Sequence, residues 1–328
     1  MRYGWSLLAN NNKGVKQYPV HQSPLFKLRS HSKLAAVLGT KPKTLKTVVR
    51  RADKNYKFGT TESGRAIEIP KSQILRYHNR INKLLCRISP PDYLMSGVKG
   101  RSYVDNAAKH RGERAVAKQD IQKFYQSTTR DIVYRGLRKR LHCSSDIAQT
   151  LADLCTVKGH IPTGSPISQS LAFFVNFGVF EHINQYASSR GLRFTLYVDD
   201  LTFSGQKIPK NFLRYISGYL EKNRGYKVHK NRTYHATTEK EVTGVILKQG
   251  GIDVKNRHRQ KIDSMLRRLS YFSDESQESD AKTRDYFQRL IGHLYSAGQV
   301  SPGYRTRGKE MVEIRKAIGI EGQNQNNK

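Results

Sequence analysis

Apolar residues recur along the chain with two periods, and the switches between them mark out elements. Lys33-Leu34-Ala35-Ala36-Val37-Leu38-Gly39 has helical spacing and a closing glycine, and Lys43 to Val49 predicts a second helix. Tyr56 to Gly59 and Arg65 to Pro70 alternate apolar with polar residues around a polar, glycine-containing turn, which predicts a hairpin. Ser72 to Ile88 returns to helical spacing through Ile74, Leu75, Ile81, Leu84 and Leu85. Ala115 to Ile121 predicts a strand. Thr129 to Leu141, Asp146 to Val157 and Ser168 to Tyr186 predict helices, Arg193 to Ser204 a hairpin, and Val242 to Ile252 a strand or two. Arg257 to Ile318 carries three helical patterns. In the first, Ile262, Met265, Leu266 and Leu269 share a face, with Arg259, Lys261, Arg267 and Arg268 elsewhere. Glu321 to Lys328 is polar throughout. Strands and helices alternate irregularly and without internal repeats, which favours the α+β class.

Charge changes this picture more than composition does. The 328 residues hold 59 Lys and Arg against 26 Asp and Glu, a formal charge of +33. Like charges at that density repel one another and oppose compaction, so a polyanion that neutralises them is the economical partner, with nucleic acid first. The 18 Tyr and 12 Phe interleaved with the cations supply a core and exclude a disordered chain. The most apolar stretch, Leu171 to Phe180, is broken by Asn176 and Gly178 and is too short to span a bilayer. The start, Met1 to Ala9, has no sustained apolar run before Asn10-Asn11-Asn12-Lys13, so no signal peptide is read and no membrane partner is expected. Cys86, Cys143 and Cys155 are odd in number and lack C-x-x-C spacing. That argues against disulfides or zinc and fits a reducing cytoplasm.

The most informative chemistry lies in Tyr197-Val198-Asp199-Asp200. Strand formers flank two adjacent carboxylates where a tight hairpin would ordinarily use Asn-Gly or Asp-Gly. Two like charges at an apolar turn oppose folding unless a bound cation turns the cost into a benefit. Asp120 ends the predicted strand Ala115 to Ile121; if that strand pairs beside the hairpin, Asp120 and Asp199 converge. Their oxygens suit Mg²⁺. Two such ions about 3.5–4 Å apart would activate a 3′-hydroxyl and stabilise leaving pyrophosphate.

Asp120-Ile121-Gln122-Lys123-Phe124-Tyr125 resembles motif A of reverse transcriptases, and Tyr197-Val198-Asp199-Asp200 resembles motif C. Between them, Pro162-Thr163-Gly164-Ser165-Pro166-Ile167-Ser168 is similar to motif B, with Thr163 where the family usually has glutamine. Asn106-Ala107-Ala108-Lys109-His110 before motif A and Val242-Thr243-Gly244 after motif D resemble two elements of the retron branch. The resemblance implies a right-hand polymerase with an antiparallel palm sheet and a helical thumb. Its segments would be a basic helical extension over 1–55, fingers over 56–114, palm over 115–250 and a basic thumb over 251–328, with no RNase H domain. It implies an RNA-directed DNA polymerase that binds its own structured non-coding RNA and primes from a guanosine 2′-hydroxyl. The product would be a branched RNA–DNA hybrid, made within an anti-phage defence system. The implied partners are that RNA and its DNA product, dNTPs, a separate effector protein and a host RNase H.

By the same resemblance, Asp120, Asp199 and Asp200 are the catalytic carboxylates. Two Mg²⁺ ions would be held by Asp120, Ile121, Asp199 and Asp200. Arg65, Tyr125, Gly164 and Tyr197 would bind the nucleotide, Tyr125 as the steric gate and Arg65 on the triphosphate. Asn106, His110, Val242, Thr243, Gly244, Arg257, Arg259, Lys261, Arg267 and Arg268 would meet RNA. The residues themselves leave alternatives open: Tyr125 as a core tyrosine, Gly164 as a turn glycine, Arg65 as one more solvated cation. Asn106 and His110 either contact RNA or brace the palm, and Val242-Thr243-Gly244, placed near the thumb, has a structural strand and turn as its alternative. Tyr271, Phe272, Tyr286 and Tyr295 read as core residues or stacking platforms. Motif D places Arg232 where the family has lysine; arginine hardly deprotonates, which leaves Lys230 or His229 for proton transfer. Two rivals remain: a group II intron-like or other defence-associated reverse transcriptase, and an RNA-binding scaffold with an inactive palm.

Overall fold

The computed structural model describes residues 16–61, 64–112, 114–269 and 280–318. The start weighed against a signal peptide, Tyr271 and Phe272, and the polar end from Glu321 lie outside the described residues. In chain order the elements are α1 (His31–Val37), α2 (Pro42–Arg50), β1 (Tyr56–Thr60), β2 (Ala66–Pro70), α3 (Ser72–Leu85), α4 (Tyr103–Ala108) and β3 (Ala115–Ile121). Then come α5 (Phe124–Ser127), α6 (Arg130–Leu141), α7 (Ser145–Cys155), α8 (Ser168–Ser188), β4 (Arg193–Tyr197) and β5 (Asp200–Gly205). The rest are α9 (Phe212–Arg224), β6 (Val228–Tyr234), β7 (Lys240–Val242), β8 (Val245–Lys248), β9 (Gly251–Val254), α10 (Asn256–Leu269), α11 (Asp280–Ala297) and α12 (Pro302–Ala317). The class is α+β, as the irregular alternation predicts.

The described residues divide into two compact units, those up to 102 with those in 115–233, and those in 103–114 with those from 234 onward. The first unit is built on a four-stranded sheet in the order β4-β5-β3-β6, with β5 antiparallel to both β3 and β4. Helix α8 packs on β4, α6 and α3. It buries Leu171, Phe174, Val175, Val179, Phe180 and Ile183, so the most apolar stretch of the sequence is a core helix. Gly136 of α6 lets α6 and α8 approach closely, because a Cβ there would lie 2.7 Å from the Val175 backbone. Helix α6 is capped by Thr129, whose side chain accepts from the Ile132 N–H. The hairpin β1–β2 pairs Tyr56 with Pro70 and Thr60 with Ala66.

The second unit holds the antiparallel sheet β7-β8-β9, the short α4 beside β8, and α10 to α12. Its core gathers Val254, Ile262, Leu290, Leu294, Ala297 and Met311. Asp253 of β9 pairs with Lys248 of β8 at 2.7 Å and with Arg259 of α10 at 2.5 Å, so it ties the sheet to that helix, and these partners hold its carboxyl below the usual range. The segment 103–114 groups with the C-terminal residues in this unit.

Helix α9 and strand β6 carry no clear sequence signal. Helix α9 buries only Phe212, Ile216 and Leu220, one residue per turn, and β6 is an edge strand whose residues Lys230 to Thr233 are exposed. Where the sequence offered a strand or two over Val242 to Ile252, the structure forms three short ones.

Candidate active site

Three pairings bring the acidic motifs together. Strand β3 pairs with β5 so that Asp120 stands opposite Asp200, and β4 pairs with β5 so that Tyr197 also stands opposite Asp200. Directly opposed residues share a sheet face, so Tyr197, Asp200 and Asp120 form a row. Val198 and Asp199 are the two loop residues of this hairpin. The Ile121 N–H donates to the Asp199 carbonyl at 3.1 Å, extending the pairing one residue past Asp120.

Val198 adopts φ +61°, as the first loop residue of a two-residue hairpin does when glycine is there. A β-branched residue in that region is strained. The turn is held from outside the motif: the Val198 N–H donates to Ser96 Oγ at 2.8 Å. The Met95 N–H donates to the Leu196 carbonyl at 2.9 Å, and Leu196 N–H to the Tyr93 carbonyl at 2.8 Å. Residues 93–96 thus flank β4 and fix the loop that carries Asp199. Nothing in the sequence singled out Ser96.

Burial, with Asp120 and then Asp200 as neighbouring charges, pushes the Asp199 carboxyl up to about 7. The Lys230 ammonium lies 3.3 Å from Asp120 Oδ2, and His229 Nδ1 lies 3.2 Å from the Asp120 carbonyl oxygen. Of the three motif D candidates, Lys230 and His229 are the ones placed beside Asp120. Their strand is tied to β3 by Gln119, which is fully buried and whose Nε2 lies within hydrogen-bond distance of three acceptors, the Leu213 carbonyl, Ser217 Oγ and Asn231 Oδ1. Among the described residues no group of three or more His, Cys, Asp or Glu forms a ready metal cage. The donor chemistry nevertheless fits a divalent ion. Three carboxylates lie within electrostatic reach, and burial beside the other two makes Asp199 resist ionisation. An ion there would complete its shell with water and phosphate oxygens.

Tyr125 stands on α5, half-buried, and its hydroxyl is pushed up by burial and by the nearby Asp199 charge. Phe124 beside it packs its ring against Phe180 and Tyr226. Arg65 is exposed at the end of the β1–β2 hairpin, and Lys158 lies over the exposed Phe58 ring at 4.0 Å. Gly164 sits where a Cβ would meet the Glu68 carbonyl oxygen at 2.7 Å, so its lack of a side chain answers first to the close approach of β2. His78 holds the same loop. Its Nε2–H donates to the Leu154 carbonyl at 2.8 Å, leaving Nδ1 to accept from Ser165 Oγ at 2.7 Å. Burial lowers this imidazole to about 4, so it is neutral.

Within the second unit, the two short elements that resemble the retron branch meet. Asn106, His110 and Val242 are each 0 % exposed. Asn106 Nδ2 lies 3.4 Å from Thr243 Oγ1, which donates to the Tyr103 carbonyl at 2.8 Å. Thr243 and Gly244 both take positive φ, +47° and +82°, so this segment is the tight turn between β7 and β8. Arg257, Arg259, Lys261, Arg267 and Arg268 lie on α10, where the Arg259 guanidinium is engaged with Asp253 and the Val254 carbonyl. Tyr286 donates to the Met265 carbonyl at 2.7 Å, and Tyr295 is 38 % exposed.

An antiparallel sheet carrying opposed carboxylates at a hairpin tip, with helices packed around it, is consistent with a right-hand polymerase fold. In sequence the chain is similar to retron reverse transcriptases. It is 31% identical over 180 residues to the retron Se72 reverse transcriptase of Salmonella heidelberg, covering 53% of this chain and 48% of that protein. It is 29% identical over 174 residues to the retron Ec86 reverse transcriptase of Escherichia coli, covering 51% and 54%. The retron Ec48 reverse transcriptase of Escherichia coli is 26% identical over 235 residues, covering 69% and 57%. The chain spans about half the length of these curated relatives. It matches no protein-family model. Among solved structures, apo telomerase from Candida tropicalis aligns with a TM-score of 0.48 at 9% identity, over 80% of this chain and 57% of that one. A telomerase from the same organism truncated of its C-terminal domain aligns at 0.43 and 10%, over 61% and 54%. Among the described residues, no helix is long and apolar enough to cross a membrane, and Cys86, Cys143 and Cys155 are unpaired.

Proposed function

We propose that the chain is an RNA-directed DNA polymerase of retron type. The observation that carries the reading is the placement of Asp120 opposite Asp200 with Asp199 in the intervening loop, in a chain similar to retron reverse transcriptases. Asp120, Asp199 and Asp200, with the neighbouring Ile121 backbone, would hold two Mg²⁺ ions. When bound, such ions lower the proton affinity of the attacking hydroxyl and neutralise charge on the leaving pyrophosphate.

The chain's own residues do the remaining work. Tyr125 and Tyr197 border the nucleotide pocket, Tyr125 excluding a ribose 2′-hydroxyl by bulk. Arg65 takes the triphosphate with a guanidinium fork. Lys230 neutralises Asp120 and, with His229, is placed to handle the proton that leaves with pyrophosphate. The basic face of α10 follows the hybrid's phosphates, giving affinity without sequence information. The buried Asn106, His110 and Val242 brace the turn of Thr243 and Gly244, whose backbone presents itself to the cognate RNA. The same reading carries the priming 2′-hydroxyl of a guanosine, the branched hybrid, the defence role with a separate effector, RNA removal by a host RNase H, and a cytoplasmic location.

Asp199→Asn with Asp200→Asn should abolish dNTP incorporation on a primed RNA while leaving RNA binding nearly intact. Wild-type-like synthesis by this variant removes the metal assignment. Sequencing the nucleic acid that co-purifies, with and without debranching enzyme, tests the retron assignment: a branched hybrid supports it, and bulk cellular RNA points to a binding scaffold.

A further inference from the structure

Glu68 is a carboxylate where the hairpin should have none. It lies mid-strand in β2 between Ile67 and Ile69 and is only 6 % exposed. Among the described residues no lysine or arginine forms an ion pair with it. Its partner is the Pro162–Ser168 loop. The Thr163 N–H and hydroxyl both donate to Glu68 Oε2, at 2.8 and 2.7 Å. In return the Glu68 N–H reaches Thr163 Oγ1 at 3.3 Å, and the Gly164 N–H donates to the Glu68 carbonyl at 3.1 Å. The Thr163 hydroxyl also lies 3.1 Å from the Ala66 carbonyl. These contacts stitch β2 to the loop over two residues on each side. Gly164 permits the approach, since any Cβ there would strike the β2 backbone.

Holding two apolar segments together needs no buried charge. A pair of aliphatic side chains would do so without the desolvation cost that an ionised carboxylate carries. A carboxylate receiving two donors from one residue adds a single permitted register: a slip of the loop by one residue leaves a buried charge unpaired. The loop is fixed again by the neutral His78 at Ser165, and it runs directly into α8, which packs on β4, the strand that ends at Tyr197. At its other side, Arg65 stands three residues before Glu68 at the exposed end of the hairpin.

We propose that Glu68 and Thr163 are positioning residues for the incoming nucleotide. By this latch the β1–β2 hairpin and the Pro162–Ser168 loop move as one piece, so that the Arg65 guanidinium and the loop beside the nascent base pair keep a fixed spacing. The inference rests on the polymerase reading above, because the ligand positioned is a deoxynucleoside triphosphate.

Two measurements on the full chain test it. Amide hydrogen exchange, with no substrate present, compares wild type with Thr163→Val. The latch predicts faster exchange in the hairpin, residues 56–70, although the substitution lies in the loop. An unchanged hairpin overturns the rigid link. Single-turnover incorporation on a primed RNA template then compares Thr163→Val, Thr163→Ser, Glu68→Gln and the double variant Glu68→Ala with Thr163→Val. Thr163→Val should raise the apparent Kd for dNTP about tenfold with template-primer affinity unchanged, the loss of one hydrogen bond's worth of positioning. Thr163→Ser and Glu68→Gln, which keep a hydroxyl donor and an acceptor oxygen, should recover it. The double variant should be no worse than Thr163→Val alone. A lower fraction of active enzyme with an unmoved Kd for dNTP means the pair only stabilises the fold, and overturns the proposal. Wild-type protein that incorporates no nucleotide removes the polymerase reading itself, whereas normal wild-type synthesis with an unmoved Kd in Thr163→Val removes the latch alone.

Discussion

Removing the Asp199 charge should make the metal-free protein more stable. Burial, Asp120 and Asp200 raise this carboxyl from 3.8 to about 7 in the folded chain. In the unfolded chain it titrates near about 3.9. Between those values the native state holds a proton that the unfolded state has released, so stability falls as pH rises through this window and stays low above it. The shift of about three units corresponds to about 4 kcal/mol lost by pH 8 relative to pH 4. Asparagine keeps the shape and carries no charge, so Asp199→Asn should abolish that slope. At 2–4 °C per kcal/mol for a unit of this size, the variant should melt on the order of 10 °C higher than wild type at pH 8 in chelator. At pH 4 the two should nearly coincide. Thermal unfolding followed by near-UV circular dichroism between pH 4 and 8 reads this directly. Adding Mg²⁺ at pH 8 should then stabilise wild type and leave the variant largely unmoved, because ligand linkage acts only through binding to the folded state. A variant that melts below wild type at pH 8 in chelator, or that keeps the wild-type slope, would refute the crowding of charges at this loop.

Gly136→Ala should destabilise the first unit by about 1–3 kcal/mol, since the added methyl meets the Val175 backbone at 2.7 Å and α6 must move off α8; an unchanged melting temperature would show that the helices separate freely. RNA affinity should fall steeply with salt if a chain of net charge +33 binds a polyanion through its cations, and a flat log–log plot would exclude binding through phosphate contacts. Changing Asn106, or Thr243 to valine, should impair use of the cognate structured RNA more than copying of a generic primed template. Equal losses on both substrates would confine these residues to supporting the second unit.

Much of the scaffold was legible because its period was clean. Ala115 to Ile121 is a strand at those boundaries, and α6, α7 and α8 follow the predicted spans within a few residues. Strand β6 was not legible, because an edge strand with exposed Lys230 to Thr233 has no apolar face to alternate. The pairing of Asp120 with Asp200 follows from strand adjacency, a tertiary fact for which the sequence supplied the motif order. Ser96, which holds the strained Val198, left no signal, since a lone serine in a loop has no period and its partner is a distant backbone N–H.

The hairpin β1–β2 shows how alternation can be read correctly and oriented wrongly. Ile67 and Ile69 mark a strand, and the ordinary rule turns them inward and Glu68 outward. The structure does the reverse: Glu68 is buried while Ile67 and Ile69 are half-buried, because the covering loop offers hydrogen-bond donors rather than methyl groups. The same inversion recurs at Gln119 in β3, His78 in α3 and Asn106 in α4, all fully buried polar side chains. Three of these four hold a loop or edge strand beside the candidate active site, and Asn106 reaches the Thr243 turn of the second unit. A hydrophobic contact in any of these places would tolerate sliding; a buried hydrogen bond does not, because each displaced partner leaves a desolvated polar group. Polar residues that break an apolar pattern in this chain are therefore where register is set, and register is what brings Asp120 and the Asp199–Asp200 pair to one sheet end.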